Sequence, residues 1–403
     1  LKTTDTAVAL LSAAAVREHA HAMLEAGIAG RLPEWRVDLS KLPATADRVA
    51  AVIRDQYPDL RVPFHARWRH FVVGGRDLWA ELAAAREWPN TDARGRAAFD
   101  LAITSVLLDA GAGPDWSYQD AATGTLTSRS EGLAVASLRL FEVGGFSGQH
   151  ADPLRADASK LSALTSEKLA EGFQVSPANP LVGLDGRARL LNRLGRQAAA
   201  RPDLFAGMDM ARPGGLFDVL KARATHDRLP AAAILDLLLE ALGPIWENRP
   251  VLDGVALGDC WPHPVMGFTP IHKLSQWLSY SLIEPLQDAG IEVVEIDGLT
   301  GLAEYRNGGL FYDAGVLILA DPADAAREHD VSSPLVLGWR AMTVALLDRI
   351  APMVRERLGL AEADFPLARV LEGGTWAAGR RIARERRTDG GPPFKINSDG
   401  TVF

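Results

Sequence analysis

The stretch from Gly258 to Val316, GDCWPHPVMGFTPIHKLSQWLSYSLIEPLQDAGIEVVEIDGLTGLAEYRNGGLFYDAGV, decides how the rest of the chain is read. It separates into three pieces. A loop carries Asp259, Cys260, Trp261 and His263. A long helix is predicted to begin near Pro270 and presents His272, Lys273, Trp277 and Tyr280. A second segment carries Glu304, Tyr305 and Arg306, followed by Gly308 and Gly309.

The helix has clear punctuation. Thr269 suits an N-cap, and Pro270 suits the first helical position, where a missing N–H costs nothing. Gly290 stands where a left-handed C-terminal cap belongs. Pro285 lies inside the run and predicts a kink or an early end. His272 and Lys273 fall in the first two turns, where free N–H groups and the helix dipole favour an anion. Lys273, Trp277 and Tyr280 recur at steps of four and three and so share a face. That face suits a phosphate beside a flat or sugar-like group, and equally suits two core aromatics with a solvated lysine at the edge.

Working outward, residues 5–27 predict an amphipathic helix closed near Gly27, and about 44–56 a second helix stopped by Pro58. RVPFHARWRHFVVGG follows, crowding His65, Arg67, Trp68, Arg69 and His70 before a double-glycine turn. Two accounts stand: a phosphate or carboxylate pocket built on arginine forks, or a surface turn with snorkelling arginines. Thr91–Gly111 predicts a helix. Residues 111–148 predict mostly loop with a short helix near 131–142. Gly144, Gly145 and Gly148 match neither a dinucleotide fingerprint nor a P-loop. Phe146, among them, is a stacking residue for a flat ligand or a plain hydrophobic anchor. Helices are predicted again over 157–172, 186–202, 230–242, 333–358 and 366–387. EVVEID is a strand or connector. The tail PPFKINSDGTVF predicts a hairpin. Helical patterns dominate, so the expected class is mainly α: a multi-helical single domain over 1–403 with minor short β hairpins. Residues 1–90 are a candidate helical sub-lobe.

Composition narrows the function. Of 403 residues, 47% are hydrophobic and 23% charged, which supports a large core rather than disorder. The net charge of −8 argues against a broad nucleic-acid footprint, and no apolar run reaches membrane-spanning length. The single cysteine, Cys260, excludes an intramolecular disulfide and fits a reducing, cytoplasmic compartment. The Ala-rich start lacks a basic n-region and is read as a first helix rather than a signal peptide.

The chemistry on offer is limited. No G-x-S-x-G is present. Cys260, His263 and His272 offer one thiol and two imidazoles, the basis of an alternative metal-dependent ureide or amide hydrolase. Glu304 is the carboxylate to single out. Near a cationic site it could stabilise an oxocarbenium-like sugar and take a proton from water, as N-glycoside hydrolysis requires. A structural ion pair is the competing account.

The chain resembles the uracil-catabolism protein family of the URC pathway, formerly a family of unknown function found in fungi, bacteria and plants. HARWRHF, SEGLAVASLRLFEVGGFSG, GDCWPHP, IHKLSQWLSYSLIEP and LTGLAEYRNGGLFYDAGVL carry the resemblance. It is more distantly similar to the queuosine 5′-phosphate N-glycosylases, which are helical and related in shape to DNA glycosylases. Ile271-His272-Lys273-Leu274-Ser275-Gln276 and Ala303-Glu304-Tyr305-Arg306 follow that family's order, and Trp376 and Pro393-Phe394 echo its C-terminal end. That family's catalytic aspartate falls on Glu304, one methylene longer, and the residues after arginine differ.

The resemblance implies an N-glycoside hydrolase of uracil catabolism, releasing urea from ribosylurea or its 5′-phosphate. It implies Glu304 as the catalytic carboxylate, with Asp313 as fallback. Lys273 and Arg306 would bind phosphate or position the carboxylate. Asp259 and His263 would hold the urea, Trp261 and Phe146 would wall the pocket, and His272, His65 and Arg67 complete the substrate-binding set. No cofactor and no resident metal are expected. The expected partners are the small ribosyl or ribosyl-phosphate substrate and other enzymes of uracil catabolism, without nucleic acid or membrane. A non-catalytic nucleotide-binding pathway partner remains the other alternative.

Overall fold

The central helix starts later than its Thr269–Pro270 punctuation predicts. Both residues belong instead to an antiparallel hairpin in which Cys260–His263 pairs with Gly267–Pro270, and the helix is Lys273–Asp288. The side chain of Asp259, distant in sequence, accepts the Lys273 N–H at 3.2 Å, so the cap comes from across the hairpin. The helix continues through Pro285, and Gly290 after it takes φ +89°, the left-handed conformation expected there.

The computed structural model describes residues 3–206 and 210–397. They form a mainly α fold in which strands occur only as two-stranded pairs. Among the described residues no helix is long and apolar enough to cross a membrane. The chain divides into two compact units, each discontinuous in sequence, with one boundary falling after Gln276, inside the central helix.

The first unit takes in residues up to 65, 249–276 and 295 onward. Its middle is the helix Pro334–Leu358, apolar on nearly every face and therefore buried, with Ser333 as N-cap and Gly359 closing it at φ +71°. It packs against Ala13–Ile28 and Leu42–Gln56. The expected single helix over 5–27 is two, Thr3–Ala9 and Ala13–Ile28, because Ser12 starts the second by accepting the Ala15 N–H at 3.2 Å. In the tail, Lys395–Asn397 pairs in parallel with Glu328–Asp330, and the expected hairpin, with its Asp399–Gly400 turn and return strand, lies outside the described residues. Phe394 anchors this strand, its ring 4.4 Å from Trp339 and 6.2 Å from Trp35. Burying such a side chain contributes roughly 1.5–3 kcal/mol, enough to choose the partner.

One close approach matters for the site. Helix Tyr305–Asp313 packs on Trp376–Arg386, and a Cβ on Gly379 would sit 2.2 Å from the Arg306 carbonyl oxygen. Gly308, in turn, lies against Trp339, where a Cβ would meet Cε2 at 2.5 Å. Gly379→Ala is therefore expected to cost about 1–3 kcal/mol by overpacking, read as a lower urea midpoint, and to displace the first turn of the Tyr305 helix. An unchanged midpoint would mean that this contact relaxes freely.

The second unit comprises 66–248, without 207–209, and 277–294. Thr91–Leu107 is its buried central helix. The segment expected to be loop holds the hairpin Ser117–Asp120/Thr125–Ser128 before the helix Arg129–Glu142. The 157–172 run divides into Ala158–Ser162 and Ser166–Gly172, with Thr165 capping the second. Leu184–Ala200 and Ala231–Leu242 fall where periodicity puts them. Glu292–Val294 is a strand, parallel to Arg228–Pro230.

Candidate active site

The site is built in the first unit, around the start of the helix Tyr305–Asp313. Glu304 precedes that helix with extended backbone, φ −98° and ψ 165°. Its Oε2 accepts the Arg306 N–H and its Oε1 the Asn307 N–H, both at 2.6 Å. Glutamate is not a favoured N-cap; its longer chain must fold back to do what aspartate does directly. Each oxygen keeps a second lone pair. Glu304 is 8% exposed. Burial pushes its carboxyl above the ordinary 4.5, while the two backbone N–H groups, then the charges of Lys273 and His65, act in the opposite direction.

The segment leading into Glu304 is tied down along its length. Arg17 donates through Nη2 to the carbonyls of Asp297 at 3.0 Å and Leu299 at 2.8 Å. Gln276, in the first turn of the Lys273 helix, accepts the Thr300 N–H at 3.2 Å. Asn307 donates through Nδ2 to the Leu302 carbonyl at 3.1 Å. Lys273 and Glu304 are therefore held by one hydrogen-bonded framework. Asn307 Oδ1, Gln276 Nε2 and Thr375 Oγ1 are buried and make no hydrogen bond within the protein. A buried polar atom without a protein partner calls for a water or a ligand group to satisfy it.

His65 enters from the other side. Its backbone N–H donates to Ala368 at 3.0 Å, its Nδ1 lies 2.6 Å from Glu372 Oε2, and its ring centroid is 6.1 Å from that of Trp376. Glu372 sits in a turn, Leu371–Thr375, wound more widely than an α-helix; such turns recur at functional sites. Glu372, Asn307 and Gln276 were not among the expected site residues. The only signal for Glu372 was the Gly373–Gly374 pair after it; the other two are ordinary helix residues by pattern.

The remaining expected residues fall in distinct surroundings. Both oxygens of Asp259 receive the Arg340 fork, at 2.8 and 2.7 Å, and also take the Trp261 indole N–H at 2.9 Å and the Lys273 N–H. All four acceptor positions are thereby used. Burial alone would raise Asp259, but the Arg340 charge and hydrogen bonds, helped by Trp261, hold it well below the ordinary 3.8. Trp261 lies under the Arg249 guanidinium, 5.2 Å from its centroid. His263 is buried, and its Nδ1 accepts the Val265 N–H at 3.2 Å. His272 adopts φ +48°, and its Nε2 donates to the Leu10 carbonyl at 3.0 Å. Burial lowers the pKa of both imidazoles and raises that of the Cys260 thiol. Among the described residues no three His, Cys, Asp or Glu side chains are grouped to share a metal ion, so the alternative built on Cys260, His263 and His272 has no geometric support.

Arg306 donates through Nη1 to the Gly390 carbonyl at 2.6 Å and lies over the Tyr305 ring, 4.7 Å from its centroid. Asp313 is at the far end of the same helix from Glu304, roughly 13 Å away by helix rise, and is held by both arms of the Arg387 fork at 2.8 and 2.6 Å. Arg67 and Phe146 belong to the second unit. Arg67 is fully buried there, bonded to Ser105 Oγ at 2.7 Å and paired with Asp109 at 3.2 Å. Phe146 is wholly buried. Trp277 and Tyr280 are likewise buried and count with the second unit, so the aromatic stripe of the central helix is core.

The comparisons with known proteins agree along the chain. Residues 9–403 match the family described as "Protein of unknown function (DUF1688)". The chain is 41% identical over 412 residues to "Protein urg3" of Schizosaccharomyces pombe, covering 99% of this chain and 100% of that protein. It is 36% identical over 417 residues to "Uracil catabolism protein 4" of Lachancea kluyveri, covering 93% of each.

Proposed function

For a chain that belongs to the DUF1688 family, we propose the role that the name of one relative carries, uracil catabolism, and within it the hydrolysis of an N-glycosidic bond: ribosylurea, or its 5′-phosphate, to urea and the free sugar. The observation that carries this proposal is Glu304, a buried carboxyl at a helix start whose ionisation is opposed by burial and favoured by two backbone N–H groups and by the electrostatics of Lys273 and His65. A carboxylate so placed can do two things that the reaction needs. Its charge stabilises the oxocarbenium-like sugar as the C1′–N bond lengthens, and its free lone pair takes the proton of the attacking water. A pKa raised toward the working pH improves it as a base.

Lys273 and Arg306 supply positive charge for a sugar phosphate or for orienting Glu304. Asp259 serves by capping the helix that carries Lys273 rather than by touching the leaving group. The orphaned polar atoms of Asn307, Gln276 and Thr375 suit a neighbourhood that receives a hydroxyl-rich ligand. The test is turnover by purified protein of verified ribosylurea and its 5′-phosphate, detecting urea and sugar. Urea release from the phosphate alone is the expected result and gives Lys273 and Arg306 a phosphate-handling role. Release from neither would sink the proposed reaction.

A further inference from the structure

Resting on that N-glycosidase proposal, we propose that His65 is the acid that protonates the departing urea and that Glu372 is its positioning residue. Urea leaves poorly as an anion, so a proton must reach it as the bond breaks. Glu304 cannot be the donor while it acts as the base toward water. A second proton-carrying group is therefore required, and His65, which acts electrostatically on Glu304, is held in place for it by Glu372 and Trp376.

His65 is 6% exposed, and Glu372 is largely buried beside it. The 2.6 Å contact from Nδ1 to Glu372 Oε2 fixes the ring orientation and engages Nδ1, so that Nε2–H is the proton to transfer. Trp376 flanks the ring, and the His65 main chain is pinned to Ala368, so the imidazole has little freedom to turn away. The wide turn Leu371–Thr375 is what aims Glu372 at it. His65 also acts electrostatically on Glu304, which places acid and base in one electrostatic cluster.

The step balances. The C1′–N electron pair departs with the urea nitrogen, which takes the proton from His65 Nε2. The water oxygen bonds C1′ and its proton goes to Glu304. Passage of that proton back to His65 through solvent restores both groups, and the net reaction is ribosylurea plus water giving sugar plus urea.

The experiment compares wild type, His65→Gln and Glu372→Gln on the ureide and on the 4-nitrophenyl glycoside of the same sugar, whose phenolate leaves without protonation. Urea release by the wild type comes first; its failure is a failure of the N-glycosidase proposal and not of this one. With the wild type active, His65→Gln is expected to lose on the order of 100-fold or more in kcat on the ureide with KM within about threefold, and to keep the aryl substrate within about threefold. Glu372→Gln should show a smaller loss of the same kind. Equal losses on both substrates, or a loss carried wholly by KM, would overturn the assignment. So would ureide kcat within about threefold of wild type in a His65→Gln protein that melts at the wild-type temperature.

Discussion

Glu304→Gln is expected to lower kcat by about two to four decades while leaving substrate affinity within a few-fold. The amide cannot take the water proton and offers no full charge to the developing oxocarbenium ion. In the present geometry each backbone N–H uses a different carboxylate oxygen, and the amide replaces one of those acceptors with an NH2 group. The cap is thus half lost, at a cost of about 0.5–2 kcal/mol. Glu304→Asp separates the two effects. Aspartate is a preferred N-cap, so stability should hold, while the reacting oxygen is drawn back by one methylene and the rate should fall. If Glu304→Gln retained the wild-type kcat, the carboxyl would be a cap and nothing more.

The same residue has a pH signature in stability. Its folded pKa is raised above the ordinary 4.5, so its contribution is fully present below that value and is lost as pH rises through the folded pKa. Glu304→Gln cannot ionise and escapes this loss. Its melting temperature relative to wild type should therefore rise from about pH 4 toward neutrality. A difference that stays flat with pH would contradict the raised pKa.

Asp259→Ala is the second large effect, and it acts on stability. Arg340 is 1% exposed and gives both arms of its fork to Asp259. Removing the carboxylate leaves that charge buried without its counter-ion, which costs about 3–5 kcal/mol. It also uncaps the Lys273 N–H. Urea unfolding at neutral pH should show the loss, and Asp259→Leu combined with Arg340→Met should recover much of it. The folded pKa of Asp259 lies below the ordinary 3.8, so this contribution is present above that value and disappears as pH falls through the folded pKa. Wild type and Asp259→Asn should accordingly converge in acid. A neutral-pH loss under about 1 kcal/mol would show that the pair contributes little net stability.

Legibility in the sequence followed the range of the interaction. The helices Leu42–Gln56, Leu184–Ala200, Ala231–Leu242 and Pro334–Leu358 were readable because each carries its own apolar spacing and end signals. Thr269–Pro270 misled because the same two residues that punctuate a helix also fit a strand end, and pairing with Cys260 and Trp261 decided between them. The tail was legible as extended but not as the partner of Glu328–Asp330, since alternation states a strand's faces and not its neighbour.

The candidate site divides in the same way. Glu304, Lys273 and His65 stood out as chemical types in informative company. Glu372 did not, because its meaning depends on a histidine 307 positions away. Periodicity and capping, which act over a few residues, determined the mainly α class and the principal helices from the sequence alone. Tertiary structure alone decided that Asp259 caps a helix and pairs with Arg340, that Arg67 and Phe146 are interior to the second unit, and that Glu304 is buried with Lys273 and His65 acting on it electrostatically. The physical reason is that burial and charge act through space. Their sign at any residue depends on which distant segments the fold brings beside it.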